Sequence, residues 1–245
     1  MKKIMVFGAT SAILSEVSKI YASHKSSFYL VGRNTDKLED IAKDLLVRGA
    51  TKAFHQNLDF TAAEQIQTVF SKGVSCLGEI DLIVIGHGSL TDQMRAQYEL
   101  DYLEVQFQIN LISYLNIITL AGNYFEKRGK GQMAIFGSVA GDRGRQSNYV
   151  YGCAKGALAL FCQGLRNRLS KKDVQVTLLK PGFVDTPMTE HIVKGPLFVS
   201  AEYAARCIFR AIEKKKNQAY IPGFWFFIML IIKLIPEKIF KRLSL

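Results

Sequence analysis

Short β-branched and apolar runs alternate with longer amphipathic stretches from the first residue to about position 220, which is the pattern of consecutive βαβ units on a parallel sheet. The spacing predicts strands over 3–7, 28–31, 52–55, 82–85, 132–136, 175–179 and 219–221. Helices are expected between them, over 12–23, 35–47, 62–70, 103–127, 149–170 and 201–214. Seven strands with intervening helices imply an α/β fold, a doubly wound and mainly parallel sheet with helices on both faces. No proline- or serine-rich linker, low-complexity tract or internal repeat interrupts it, so 1–221 reads as one domain and 222–245 as its apolar-basic helical tail.

A chain of 245 residues can bury a core without staples. With 49% apolar and 22% charged residues it is neither disordered, collagenous nor a coiled coil. The net charge of +11 is concentrated: Arg206 to Leu245 holds nine basic and two acidic residues, +7 of the total. Cys76, Cys153, Cys162 and Cys207 show neither a C-x-x-C pair nor a histidine at zinc-ligand spacing, so a reduced cytoplasmic chain without a metal is expected. Met1-Lys2-Lys3 and the following Ile4 to Phe7 read as a first strand rather than a signal peptide, because Gly8 to Ser11 and Glu16 break the apolar run.

The tail carries nine unbroken apolar residues, 224–232, which Lys233 ends well short of the ~20 needed to span a bilayer. Trp225 and its phenylalanine neighbours lie between Lys214-Lys215-Lys216 and the cluster Lys233, Lys238, Lys241 and Arg242. That composition fits a segment in the membrane interface, peripheral on the inner face; a helix packed on its own core or on a second copy is the alternative. Nucleic acid is not the expected partner, since the charge is interleaved with bulky aliphatics rather than arrayed on a polar face.

Directly after the first strand, Gly8-Ala9-Thr10-Ser11-Ala12-Ile13-Leu14 opens the first helix, where a Rossmann fold rests a pyrophosphate on a helix N-terminus. Gly8, Thr10, Ser11 and Ile13 are the candidate contacts. Of three expected glycines only Gly8 is present; Ala12 and Leu14 replace the others, and Leu14 stands where close helix–strand contact is normally made. Arg33 ends the second strand in place of an acidic residue, which suits a ribose 2′-phosphate and favours NADP(H) over NAD(H). Asp59 either accepts from the adenine amino group or caps the next helix. Gly86 lies in the turn after the fourth strand, and His87 beside it reads as a loop residue.

Ser138 follows the fifth strand, and thirteen residues later Tyr151 and Lys155 stand at i and i+4 on one helical face. Reducing a ketone by hydride transfer requires a proton donor for the developing alkoxide. A phenol with a pKa of about 10 needs a neighbouring cation to serve at neutral pH. Lys155 can be that cation and also hold a ribose; Ser138 would bond the carbonyl oxygen, and Asn110 would order a water linking Lys155 to solvent. Arg143 and Arg145, between Ser138 and Tyr151, are candidates for a substrate phosphate or are solvated loop charges.

Taken together, Ser138, Tyr151-Gly152-Cys153-Ala154-Lys155 and Pro181-Gly182 resemble the short-chain dehydrogenase/reductase family over 1–220. The resemblance implies the catalytic roles above and adds that Pro181, Gly182, Val184 and Thr186 flank a nicotinamide, Thr186 bonding its carboxamide. It also implies homodimers or homotetramers. The family's N-N-A-G turn stands here as Ile85-Gly86-His87-Gly88. Segments 138–151 and 181–191 and the ending 235–243 further resemble the decaprenylphospho-β-D-erythro-pentofuranosid-2-ulose 2-reductases, which implies a polyprenyl-phosphate-linked keto-sugar as substrate and a place in cell-envelope synthesis. Another lipid ketone, a 3-keto long-chain base or 3-oxoacyl chain, fits the same chemistry, and a non-catalytic nucleotide-binding module at a membrane is the reading from another class.

Overall fold

The computed structural model describes residues 1–190 and 192–243; His191, at the end of segment 181–191, and the last two residues of the tail lie outside the described residues. The chain runs β1 (Lys3–Phe7), α1 (Ala12–Ser23), β2 (Ser27–Gly32), α2 (Thr35–Val47), β3 (Lys52–Asn57), α3 (Ala63–Leu77) and β4 (Leu82–Ile85). There follow α4 (Gln93–Tyr98), α5 (Leu100–Phe107), α6 (Ser113–Arg128), β5 (Lys130–Phe136), α7 (Tyr149–Leu169) and β6 (Asp173–Pro181). The two-residue strands β7 (Val184–Asp185) and β8 (Val199–Ser200), then α8 (Ala201–Glu213), β9 (Gln218–Ile221), α9 (Trp225–Leu234) and α10 (Glu237–Phe240) complete it.

Seven strands form one parallel sheet in the order β3-β2-β1-β4-β5-β6-β9. In β1 the pleat sends Ile4 and Val6 into the layer of α1, α2 and α8, and Met5 and Phe7 into that of α3, α6 and α7. Both faces are buried, which is why the strand sequences are continuous apolar runs rather than alternating ones. The chain leaves β1 towards β2 on one side and later towards β4 on the other. This reversal opens a crevice at the carboxyl ends of β1 and β4.

The helices differ from expectation in three places. α3 continues to Leu77 because the apolar stripe Ile66, Val69, Phe70, Gly73, Leu77 keeps facing the core. The single helix expected over 103–127 is α5 and α6 joined by a π-helical turn over Gln108–Ile112. There the Ser113 amide reaches back to the Gln108 carbonyl, and the Ser113 hydroxyl takes the Ile109 carbonyl (2.8 Å) that a regular α-turn would have given that amide. The short α4 had no sequence signal.

The tail folds back onto the domain. Trp225 and Met229 on α9 are buried against Val139 and Tyr220, while Phe226, Phe227, Leu230, Ile231 and Leu234 on its other side are exposed. No helix among the described residues is long and apolar enough to cross a membrane. Arg143, expected at a substrate, is instead spent on this tail. Its Nη1 donates to the carbonyls of Ile232 (2.6 Å) and Ile235 (2.6 Å), its Nη2 meets Glu237 (3.1 Å), and its guanidinium lies 3.6 Å from the Phe240 ring centroid. The carbonyls at a helix C-terminus have no intrahelical donor, and one arginine supplies it here.

Charged hydrogen bonds of this kind contribute on the order of 2 kcal/mol. Arg143→Ala is therefore expected to lower the urea-unfolding free energy by about 2 kcal/mol and to expose Phe226 and Phe227 to limited chymotryptic cleavage before the domain unfolds. An unchanged cleavage pattern would show that the tail is held by its apolar face alone.

Candidate active site

Ser138 follows the carboxyl end of β5, and its hydroxyl accepts from the Ala140 amide (3.1 Å), which starts a 3₁₀ turn over Val139–Asp142. That turn lies directly against the first turns of α7, because two glycines leave room for backbone-to-backbone contact. A Cβ on Gly141 would sit 2.6 Å from the Lys155 carbonyl carbon, and one on Gly152 would sit 2.8 Å from the Ala140 oxygen. Ser138 is thereby placed beside Tyr151, and Lys155 follows one helical turn on.

Burial governs the chemistry of both α7 residues. It pushes the Tyr151 phenol up to about 12, and a Ser138 hydroxyl placed to stabilise the phenolate pulls the other way. Burial lowers the Lys155 ammonium to about 7. Its Nζ donates to the Phe136 carbonyl (3.2 Å) and lies over the rings of Tyr114 (4.2 Å) and Tyr151 (5.6 Å), with no carboxylate in an ion pair among the described residues. In this geometry the Ser138 hydroxyl favours the ionised phenol, and the Lys155 Nζ stands beside its ring.

Asn110 is fully buried in the π turn and does not line the cavity. Its Oδ1 accepts from the Ser89 amide (3.2 Å), so its side chain holds the loop after β4. The other residues expected at the site come together. Gly8, Thr10, Ser11, Ile13, Arg33, Asp59, Gly86, Ser138, Arg145, Tyr151, Lys155, Pro181, Gly182, Val184 and Thr186 all line one cavity of about 940 Å³. Asp59 makes a local turn, accepting from the Thr61 amide and hydroxyl (both 2.9 Å), and these bonds hold its carboxyl below the ordinary value. It does not cap α3, whose N-cap is Ala62.

Leu14 does not line the cavity. It is completely buried on the sheet side of α1, and a Cβ on Gly86 would lie 2.8 Å from its Cδ1. The bulk expected to disturb the α1 turn is taken up by the glycine across from it, which leaves the helix N-terminus clear. Ser11, the N-cap, makes no side-chain capping bond.

Sequence reasoning missed several parts. His87 lies in the loop after β4, as expected, but its side chain is buried: its ring stacks on Phe60 (3.7 Å between centroids) and packs near Tyr114 (4.2 Å). Its Nε2 meets the Ser113 hydroxyl (2.7 Å). Burial, reinforced by the Lys155 charge, holds it neutral well below its ordinary value. Tyr114 donates to the His87 carbonyl and supplies the ring under Lys155; its place four residues after Asn110 was the available signal. Asp142 takes Lys180 on one carboxylate oxygen and the Tyr220 hydroxyl (2.6 Å) on the other. Trp225, Ile228 and Ile232 of α9 form one wall of the cavity. Trp225 fits because residue 182 is glycine, where a Cβ would fall 2.0 Å from the indole.

The family model described as short chain dehydrogenase matches residues 2–196, and the chain belongs to that family, a family of oxidoreductases. It is similar to an uncharacterized oxidoreductase of Mycobacterium tuberculosis, 29% identical over 98% of this chain and 96% of that protein. It is also similar to one of Staphylococcus epidermidis, 30% identical over 77% of this chain and 80% of that protein. Among solved structures, actinorhodin polyketide ketoreductase with NADPH superposes with a TM-score of 0.79 at 18% identity, over 89% of this chain and 95% of that one. That likeness supports the doubly wound fold.

The lowered Lys155 value makes a pH test. In the unfolded chain a lysine keeps its proton up to about pH 10.4, whereas folded Lys155 releases it above about 7. Between these values the unfolded state binds more protons, so folding stability rises with pH across that window and is level below it. Lys155→Met is expected to remove this rise, read as urea midpoints from pH 6 to 9.5; an unchanged slope would place the titration elsewhere.

Proposed function

We propose that this oxidoreductase is an NADPH-dependent ketoreductase acting on an amphiphilic ketone, and the observation that carries the reading is Ser138, Tyr151 and Lys155 together in one cavity. A dinucleotide fits the residues present. The cavity is of ligand size, the α1 N-terminus and the uncommitted Ser11 hydroxyl face it, and Arg33 stands exposed at its edge where a 2′-phosphate would lie. Gly8, Thr10 and Ile13 would carry the pyrophosphate side, Asp59 and Gly86 the adenosine side, and Pro181, Gly182, Val184 and Thr186 the nicotinamide. When bound, the nicotinamide supplies the hydride.

The chain's own part is to bind the carbonyl and move a proton. Ser138 holds the substrate oxygen, and Tyr151, a protonated phenol at neutral pH, gives its hydroxyl proton to the oxygen as negative charge develops there. Lys155, beneath both rings, stabilises the phenolate that remains. Asn110 supports the reaction through the loop it fixes. Among amphiphilic ketones we favour a 2-keto pentose carried on polyprenyl phosphate over a 3-keto long-chain base or 3-oxoacyl chain. Phe183, Met188, Ile192, Leu197, Ile228 and Ile232 give the cavity an apolar side beside a polar catalytic end.

Tyr151→Phe should lower turnover by about 10²-fold or more while leaving NADPH binding intact, and Arg33→Ala should reduce a preference for NADPH over NADH by roughly tenfold. Turnover retained in the tyrosine variant would overturn the mechanism. No binding of either nucleotide would return the chain to a non-catalytic module.

The same reading places the protein at a lipid surface. Phe227, Leu230, Ile231 and Leu234 form an exposed apolar strip on α9, bounded by Lys233, Lys238, Lys241 and Arg242. Basic residues contribute about 1 kcal/mol each towards anionic lipid. Co-sedimentation with phosphatidylglycerol vesicles but not phosphatidylcholine vesicles is expected, with loss in Phe227→Ser/Ile231→Ser. A dimer that these changes dissociate, with no vesicle binding, would make the strip a contact between copies.

A further inference from the structure

The wall of the cavity that joins the catalytic loop to the tail carries more unpaired polarity than the proposed reduction uses. Four side-chain atoms on lining residues are buried without a hydrogen-bond partner among the described residues: His87 Nδ1, on the loop after β4, and on this wall Arg145 Nε, Asn148 Oδ1 and Trp225 Nε1. Arg145 is half-buried in the loop between Ser138 and α7, and its contacts are weak, a Val139 carbonyl at 3.4 Å and the Met229 sulfur at 3.6 Å. Met229 lies one turn beyond Trp225 on the inner side of α9, so the guanidinium and the indole sit on the same wall.

The carboxylate that could neutralise Arg145 is already committed. Both oxygens of Asp142 are taken, by Lys180 and by Tyr220, and Glu237 is paired with Arg143. Arg145 makes no ion pair among the described residues. A partly desolvated guanidinium that feels the Asp142 charge only at a distance is costly, and so is a buried indole N–H without an acceptor. One ligand chemistry relieves both. An oxyanion accepts from the planar fork and from the indole, while the Asn148 oxygen can accept from a neighbouring hydroxyl.

We propose that Arg145, Trp225 and Asn148 form a substrate subsite for an oxyanion, a phosphate ester or a carboxylate, attached to the molecule whose ketone meets Tyr151. This rests on the ketoreductase reading for the word substrate, but the subsite itself does not. Trp225 is the only tryptophan in the chain and so reports occupancy directly by its fluorescence, with no turnover required.

Octyl phosphate, octanoate and octanol are titrated against the full chain, with and without NADP⁺, following Trp225 emission. At least one anion is expected to saturate at roughly tenfold lower concentration than the alcohol, and the tighter of the two identifies the head group. Arg145→Ala should abolish that preference with the octanol curve unchanged, which also shows that the variant is folded; Arg145→Lys should keep part of it. Equal midpoints for all three ligands, or an anion preference that survives Arg145→Ala, would overturn the subsite. Loss of ketone reduction in Tyr151→Phe would leave these curves as they are, so the two readings fail separately.

Discussion

The carboxylate of Asp142 ties together the ends of three strands that build the reaction end of the cavity. It lies on the turn that follows Ser138, and it binds Lys180 at the end of β6 and Tyr220 at the end of β9. Its side chain and that of Lys180 are 3% and 8% exposed, so the pair is removed from water. Such a pair adds little net stability over an apolar replacement, whereas removing one partner costs about 3–5 kcal/mol. Its effect is to set position. The turn bearing Ser138, the Pro181-Gly182 segment and the start of the tail cannot shift relative to one another without breaking a buried charge pair. The turn after β5, the Pro181-Gly182 segment and the tail side of the cavity therefore share one anchor.

The two departures from the glycine pattern of the family turn out to compensate for each other. Leu14 occupies volume where helix and strand approach closely, and Gly86 opposite it has no side chain to meet. The side chain that Gly86 lacks leaves room for Leu14, so the contact is close-packed without overpacking. The neighbouring His87 then stacks inward between Phe60 and Tyr114 instead of facing solvent. What looked in the sequence like damage to the turn after β1 is a repacked core beneath a cavity that the α1 N-terminus still borders.

The tail has two apolar sides with different fates. One side, with Trp225 and Met229, is core and cavity wall; the other, with Phe227, Leu230, Ile231 and Leu234, has no partner among the described residues. A helix hydrophobic all round normally lies wholly inside a protein or a bilayer. Here a ten-residue helix is too short for the second and only half covered for the first. Of the +7 carried by the last forty residues, +3 lies on the tail beyond residue 221, with four basic residues and one acidic, and the rest on α8 and the turn that follows it.

The sequence by itself determined the sheet, most helix boundaries and the set Ser138, Tyr151 and Lys155. These depend on local quantities: hydrophobic period along the chain, and the i, i+4 geometry of a single helix. Residues read one by one around the nucleotide also reached the same cavity, since they sit at strand ends whose order the βαβ rule dictates. Only the tertiary structure decided which of two nearby arginines faces the cavity. Arg143 is drawn to carbonyls 89 and 92 positions away, which leaves Arg145 to line the cavity. Only it decided that Asn110 serves a loop, that Leu14 is accommodated, and that α9 closes the cavity. Each of these is a contact between residues far apart in the chain. No pattern within one element encodes such a contact, because it is the packing of several elements at once that selects it.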